Sequence, residues 1–383
     1  MYIINAKINT VTNGVIERGF LQIEDGKIAK VGPMEELDAQ GDALDMHGFT
    51  VYPGFIDAHT HLGMWEDGLG FEGDDGNEET DPITPHLRAC DAVNPLDRCF
   101  VEARQAGITT VITGPGSANP ISGQMLAMKT QGRRMESCII KDPVAMKFAL
   151  GENPKSVYHA KGEAPVTRMA TAALIREQLY KARRYMEDME KAQNDEDCDE
   201  PEYDMKCEAL IPVLRREVKA HIHAHRADDM FTAIRLAKEF DLDYVLIHGT
   251  EGYKIADVLL EEGACVVAGP ILCDRSKPEL RELTPANPGM LSNCGVSVAL
   301  CTDHPEIPIQ YLPLCAGIAV KEGMDYHEAL KAITISPAKI CGIDDRVGSI
   351  EVGKDADLVV FAGDPFSVYA KPKMVMIDGS IIV

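Results

Sequence analysis

The chain has 383 residues, of which 45% are hydrophobic and 26% charged, and its formal net charge is −23. That is enough for one large barrel plus a small accessory domain. So acidic a chain excludes nucleic acid as a partner, because phosphate binding needs a basic face.

The first fifty residues read as short strands and turns, with hairpin signals at Thr12-Asn13-Gly14 and Glu24-Asp25-Gly26-Lys27. A strand is expected from Tyr52 to His61. A helix from about Pro95 to Ala106 ends at Gly107 and leads into a second strand, Ile108–Thr113. The third strand is open between Met125–Lys129 and Cys138–Lys141. The fourth is Val144–Leu150. A long helix spans Thr167–Ala192. Strand five is Val218–His223, and a helix from Ala227 to Phe240 joins it to strand six, Tyr244–His248. Strand seven is Cys265–Ala268 and strand eight leads to Asp303. Two helices follow, near Leu312–Glu322 and Asp325–Thr334. Residues 345–383 return to short strands. The alternation over 51–344 is the pattern of a (β/α)8 TIM barrel, an α/β architecture. Residues 1–50 and 345–383 are expected to pair into one small β-sandwich domain built from both termini.

No run of about 18 apolar residues occurs, so no transmembrane helix and no membrane partner are expected. Met1–Lys7 lacks the basic start and apolar core of a signal peptide, and a cytoplasmic protein is expected. The 11 cysteines are scattered without a C-x-x-C pair and read as reduced thiols. The charge is uneven. Eight acidic residues and no Lys or Arg lie between Glu66 and Asp81. Ten acidic residues and one lysine lie between Glu187 and Asp204. The second stretch reads as an exposed connection. The first follows strand one and should hang over the barrel mouth, where its field could favour a cationic substrate.

Five residues at strand ends carry the chemistry. His59 and His61 share a face by the period of two, so both can grip one metal ion. His223, His248 and Asp303 close strands five, six and eight. In a barrel of this type the C-terminal strand ends converge on one mouth. Imidazole and carboxylate donors suit zinc and its first-row neighbours. Four strand ends carrying His-x-His, His, His and Asp describe a metal-dependent hydrolytic centre. His221 and His225 share His223's face, which leaves strand five ambiguous. His223 is favoured because it stands where the strand meets Arg226-Ala227-Asp228-Asp229. His225 then reads as a substrate contact and His221 as a barrel-layer residue.

Pro53-Gly54-Phe55-Ile56-Asp57-Ala58-His59-Thr60-His61 resembles the first-strand motif of the amidohydrolase superfamily. The tail from Gly348 to Val359 is similar to its C-terminal signature. His223-Ala224-His225-Arg226-Ala227-Asp228-Asp229, His248-Gly249-Thr250-Glu251 and Thr302-Asp303-His304-Pro305 most resemble the imidazolonepropionase-like group of hydrolases. The resemblance covers nearly the whole chain. It implies a barrel with a flanking β-sandwich and hydrolysis of a C–N bond by metal-bound hydroxide. His59, His61, His223 and His248 would hold one or two Zn2+ ions, and Asp303 would be both ligand and acid/base. Lys147 resembles the strand lysine that some members carboxylate to bridge two metals, with Glu152 the rival as bridging or substrate-binding group.

Softer substrate-binding candidates are Arg226, which could hold a carboxylate bidentately, and His304, beside Asp303. Trp65 could cap the pocket, and Thr250, Glu251 or Tyr253 could touch substrate. The expected substrate is a small amide, cyclic amide or dipeptide-like molecule, and a homo-oligomer is expected. A ring deaminase with a single metal is the alternative reading. A non-catalytic barrel scaffold is the second.

Overall fold

The computed structural model describes residues 1–38, 41–66, 69–195 and 197–383. In chain order the first strands are β1 (Tyr2–Asn9), β2 (Val15–Glu24), β3 (Lys27–Pro33), β4 (Ala43–Asp45) and β5 (Thr50–Pro53). They are followed by β6 (Phe55–Thr60), α1 (Arg98–Gln105), β7 (Ile108–Thr113), β8 (Ile121–Lys129), α2 (Met135–Cys138) and β9 (Ile139–Ala149). Next come α3 (Glu152–Lys161), α4 (Arg168–Asn194), α5 (Met205–Leu214), β10 (Lys219–Ala224), α6 (Ala227–Phe240) and β11 (Tyr244–His248). The chain continues with α7 (Ala256–Glu261), β12 (Cys265–Ala268), α8 (Asn287–Cys294), β13 (Ser297–Leu300) and three helices, α9 (Leu312–Lys321), α10 (Tyr326–Ala332) and α11 (Ile335–Cys341). It ends in β14 (Leu358–Phe361), β15 (Met374–Ile377) and β16 (Ser380–Ile381).

Strands β6 to β13 form one eight-stranded sheet in sequence order. Their residues divide by alternation between two apolar clusters. Ile56, Ile112, Ala145, Ile247, Val267 and Ala299 pack with Ile340 and Cys341 of α11. Met146, Ile222, Leu246, Val266 and Leu300 pack instead with Phe240, Leu259 and Leu291 of the surrounding helices. The sheet nearly closes. Asp57 of β6 accepts from the Thr302 backbone N at 3.1 Å and the Thr302 hydroxyl at 2.6 Å, just past β13. Asp303 N donates to His59 O at 3.2 Å.

The third barrel strand is β8, which contains Met125–Lys129. The competing segment, Cys138–Lys141, is the entry to the long strand β9. β8 runs antiparallel to both β7 and β9, whereas the other neighbouring pairs in this sheet are parallel. Antiparallel neighbours can be joined by short connections, while parallel ones need a crossover. No βαβ crossover is therefore required between β7 and β9, and the strict alternation expected over this stretch does not hold.

The run read as one strand from Tyr52 is two. Thr50–Pro53 pairs with β1 and β14 in the terminal sheet, and Phe55 begins the barrel. The switch falls at Gly54, where a Cβ would sit 2.1 Å from Thr109 Oγ1. The terminal sheet runs β16-β15-β14-β5-β1-β2-β3, with β4 also on β1, around Ile3, Leu21, Val51, Leu358 and Met376. Buried Lys129 of β8 joins barrel to sheet. Its ammonium lies 2.6 Å from Asp357, 3.0 Å from Asp355 and 3.2 Å from Asp378.

α4 runs two residues past its expected end, and the described part of the acidic tract after it is mostly exposed. Glu196 in that tract and Asp67 in the first acidic stretch lie outside the described residues. Among the described residues no helix is long and apolar enough to cross a membrane.

Candidate metal centre

The C-terminal ends of the parallel strands open into a cavity of about 520 Å³ lined by His61, Trp65, Ser117, His223, His225, His248, Lys277 and Asp303, among others. Two of these side chains leave their strands by sharp turns. His248 has φ 75° and Asp303 φ 55°. Left-handed backbone is uncommon for non-glycine residues and collects at functional sites. Gly269 supplies a different device. At φ 150° a Cβ there would meet Cys301 O at 2.2 Å, and its carbonyl accepts from His248 Nδ1 at 2.7 Å.

Two groups of donors converge. His59, His61 and Asp303 have ligand atoms all within 4.8 Å of one another, and so do His223, His225 and His248. The groups adjoin, with the His59 and His248 rings 5.6 Å apart. In the first, Asp303 Oδ1 lies 3.3 Å from His61 Nε2 and 3.6 Å from His59 Nε2. Four histidines share one tie. His61 Nδ1 pairs with Gly114 O at 2.7 Å, His223 Nδ1 with Ser117 Oγ at 2.9 Å, and His225 Nδ1 with Thr250 Oγ1 at 2.7 Å, alongside the His248–Gly269 bond. A carbonyl can only accept, so Nδ1 of His61 and His248 carries the proton and Nε2 presents its lone pair. Metal-ligating histidines are fixed in this way.

The electrostatics agree. Burial, reinforced by Lys147 and the neighbouring rings, holds His59 well below the ordinary imidazole range, and burial with His248 does the same for His223 and His225. Burial lowers His248 to about 4. Neutral imidazole is the form that binds cations. Burial alone would raise Asp303, but His248, His61 and Lys147 outweigh it and hold the carboxyl far below its usual range. Buried polar atoms without a hydrogen-bond partner gather here: His59 Nδ1, His223 Nε2 and Asp303 Oδ1. Nitrogen and carboxylate donors, neutral rings and orphaned buried atoms together fit a divalent first-row cation.

Lys147 stands below both groups on β9, wholly buried, with Nζ 2.8 Å from His59 Nε2. Burial lowers its ammonium to about 8. Register pairs it with His221 of β10, whose ring is buried with no hydrogen-bond partner on either nitrogen, in keeping with a barrel-layer place.

Three expected substrate contacts are turned elsewhere. Glu152 lies outside the cavity, locked to the loop after β12. Its backbone N donates to Glu279 Oε2, and its Oε2 accepts from Glu279 N, both at 3.0 Å. Glu152 heads α3, where a carboxylate is held by backbone amides rather than reaching inward. Arg226 spends its guanidinium on Asp228, two residues on, with two contacts of 2.8 Å. His304 uses Nδ1 to accept from Ile309 N at 3.2 Å, which turns its ring into the following loop. His225 does reach the cavity, but inside the second donor group rather than beside it. Trp65 lies edge-on to His61 with centroids 4.8 Å apart, its indole NH donating to Asp74. Asn77 and Glu79 of the acidic stretch line the cavity, and Asp74 and Asp75 line a neighbouring depression.

Sequence reasoning missed Glu279, Lys277, Ser117 and Asp57. The first three lie in loops whose residue types carry no spacing signal. Asp57 sat within the first-strand motif, two residues before His59, and its closing role depends on Thr302 far along the chain. Burial raises its carboxyl to about 7.

The sequence pattern described as the Amidohydrolase family matches residues 50–382, and the chain belongs to that family. It is 30% identical to amidohydrolase tasK of Hapsidospora irregularis over 96% of its own length, but it spans only 39% of that relative. It is 26% identical to an imidazolonepropionase of a Geobacillus species, over 91% of this chain and 84% of that one. A solved amidohydrolase structure from Thermotoga maritima superposes with a TM-score of 0.96 at 43% identity, covering 100% of this chain and 99% of the other.

Proposed function

We propose that this chain is a metal-dependent amidohydrolase that hydrolyses the C–N bond of a small amide, cyclic amide or dipeptide-like substrate. One observation carries the reading. His61, His223, His248 and Asp303 line a single cavity, and His59, wholly buried, has its ligand atom within 4.8 Å of those of His61 and Asp303.

His59, His61, His223, His248 and Asp303 would hold the cation, with zinc the first choice for this donor set. When bound, such an ion polarises a carbonyl and lowers the pKa of water to about 7. Asp303 enters the reaction ionised. Its Oδ1 takes the proton of the attacking water and returns it to the leaving nitrogen. His61 Nε2, an acceptor 3.3 Å from that oxygen, converges with it on the same point. Trp65 lines the cavity wall beside His61.

Lys147 is the group proposed to join two ions. An amine lowered to about 8 is partly neutral at physiological pH, and the neutral amine is the form that adds carbon dioxide. Two adjoining donor groups favour this two-ion reading over a single-ion ring deaminase, which would leave one group idle. The test is the hydrolytic rate of Asp303→Asn on a panel of dipeptides, acylated amino acids and cyclic amides. Loss of turnover with substrate binding retained is the expected result, and full activity would overturn the role of Asp303.

A further inference from the structure

Besides the histidines, the charged residues lining the cavity among the described residues are Glu79, Lys277, Asp303 and Glu306. Lys277 is answered by Glu279, its Nζ 2.8 Å from Oε1, and it also donates to Asn153 Oδ1 at 3.0 Å. Glu79 is answered in part by Lys161, whose Nζ lies 2.9 Å from Oε2, which leaves it a weaker contributor. Asp303 belongs to the first donor group. Glu306 makes no ion pair and no side-chain hydrogen bond among the described residues. The one charge of the cavity wall with neither partner nor task is therefore negative.

Glu306 lies in the loop between β13 and α9. A tight turn sets its place, with Glu306 N donating to Asp303 O at 2.9 Å and Ile307 N to Thr302 O at 3.2 Å. It thus stands three residues beyond the proposed acid/base. Burial first, then the carboxylates of Glu306 and Asp303, push the Cys273 thiol up to about 11, so the two carboxylates act on one neighbourhood. They differ in depth. The Asp303 side chain is 14% exposed, whereas Glu306 is an exposed residue at the rim. A cleft focuses the field of such a charge and concentrates ligands of the opposite sign. An anionic ligand meets no such offer, since Lys277 has already spent two of its three N–H groups.

We propose that Glu306 is a specificity-determining residue of this site, and that the substrate carries a cationic arm, an ammonium or guanidinium group, that reaches from the scissile C–N bond to the rim and pairs with this carboxylate. The inference rests on the amide-hydrolysis reading above and narrows it from small amides in general to cationic ones. The arm points outward, so its charge is kept away from a cation held by the strand-end histidines. Substrate filling the cavity displaces water from Glu306, and a charge-assisted hydrogen bond gains strength as its surroundings dry.

The test uses the full chain, purified without chelators, and two pairs of amides matched in shape. Nα-acetyl-lysine and Nα-acetyl-norleucine carry the arm on the amine side of the bond, and lysinamide and norleucinamide carry it on the acyl side. The wild type should prefer the lysine member of at least one pair, and added salt should erode that preference. Glu306→Gln keeps the side chain's size and removes its charge. It should raise KM for the preferred lysine compound about tenfold and leave KM for its norleucine partner within about twofold. Glu306→Asp should regain part of the preference. A merely structural Glu306 would shift both members of a pair alike, and that result overturns the proposal. So does a wild type that favours norleucine or treats the members equally. Calorimetric binding of the same pairs to Asp303→Asn, with and without Glu306→Gln, separates this inference from the reading it rests on. If the wild type hydrolyses none of the four, the amide-hydrolysis reading loses its support, while tighter binding of a lysine compound that is lost with Glu306→Gln still upholds the role of Glu306. Binding without preference, or no binding of either lysine compound, overturns it.

Discussion

Lys147 Nζ and His59 Nε2 lie 2.8 Å apart, both side chains wholly buried, at the seam between the two donor groups. Two nitrogens at this distance hold a single hydrogen between them, so Lys147 and His59 are not both cationic. The site therefore holds less positive charge than its residue list suggests, and a cation meets neutral rings and a lysine easily made neutral. Replacing Lys147 with Met keeps the length of the side chain and removes its nitrogen. Lys147→Met is expected to lose about 100-fold in kcat/KM and to show no response to bicarbonate. Wild type depleted of bicarbonate should regain rate when it is restored. Equal bicarbonate responses in the two proteins would rule out carboxylation of Lys147.

Asp303→Asn tests the proton path. Asparagine fits the same left-handed backbone position, so the fold should survive. The rate should fall by about 10² to 10⁴ with KM little changed, the loss typical of a removed acid/base group. Steady-state kinetics on any substrate found by screening decide this, and a change confined to KM would make Asp303 a binding residue instead.

Lys129 carries a structural prediction. The carboxyl of Asp355 is held low, since Lys129 and Arg346 outweigh its burial, and Lys129 itself is held above its ordinary range, since its carboxylate partners outweigh its burial. Asp357 is pushed up by burial. Lys129→Met leaves a buried carboxylate uncompensated and should cost about 3 to 5 kcal/mol in denaturant unfolding. The Asp355 contribution is present above its unfolded pKa near 4 and fades as pH falls below it. The Lys129 contribution fades only as pH rises above about 10.5. An unfolding midpoint unchanged by the substitution would show that the junction does not hold barrel to sheet.

The acidic stretch yields a graded expectation. Glu79 lines the cavity itself, whereas Glu72 is exposed beyond it and Asp74 binds Trp65. For a substrate with a positively charged arm, Glu79→Gln should raise KM, and added salt should do the same in wild type. Glu72→Gln should do neither. Equal KM values in all three proteins would leave the stretch as solvated surface.

Most of the barrel was legible because its strands are short apolar runs ended by His or Asp, and α6 matches its expected bounds at both ends. What was not legible depends on contacts distant in sequence. Nothing in Ile121–Lys129 reveals that β8 runs antiparallel, since direction follows from the loops that bracket it. Gly54 carries a change of sheet inside what reads as one continuous run. At the site, His59, His61, His248 and Asp303 follow from period two and strand ends. Three histidines on one face of strand five leave the choice among His221, His223 and His225 open. The structure separates His221, buried with no partner on either nitrogen, whereas His223 and His225 are alike, each 2% exposed with a hydroxyl at Nδ1. Glu152, Arg226 and His304 looked available because they flank the motifs, but each finds a partner outside the cavity.

The central claim is that catalysis here depends on a bound cation held by the strand-end histidines. Metal content per folded chain tests it most directly, measured by elemental analysis on protein purified without chelators and with bicarbonate present. The account predicts two first-row ions per chain, and loss of hydrolysis when they are stripped and its return when zinc is restored. A chain that carries no ion, and takes up none when zinc is added, would contradict it.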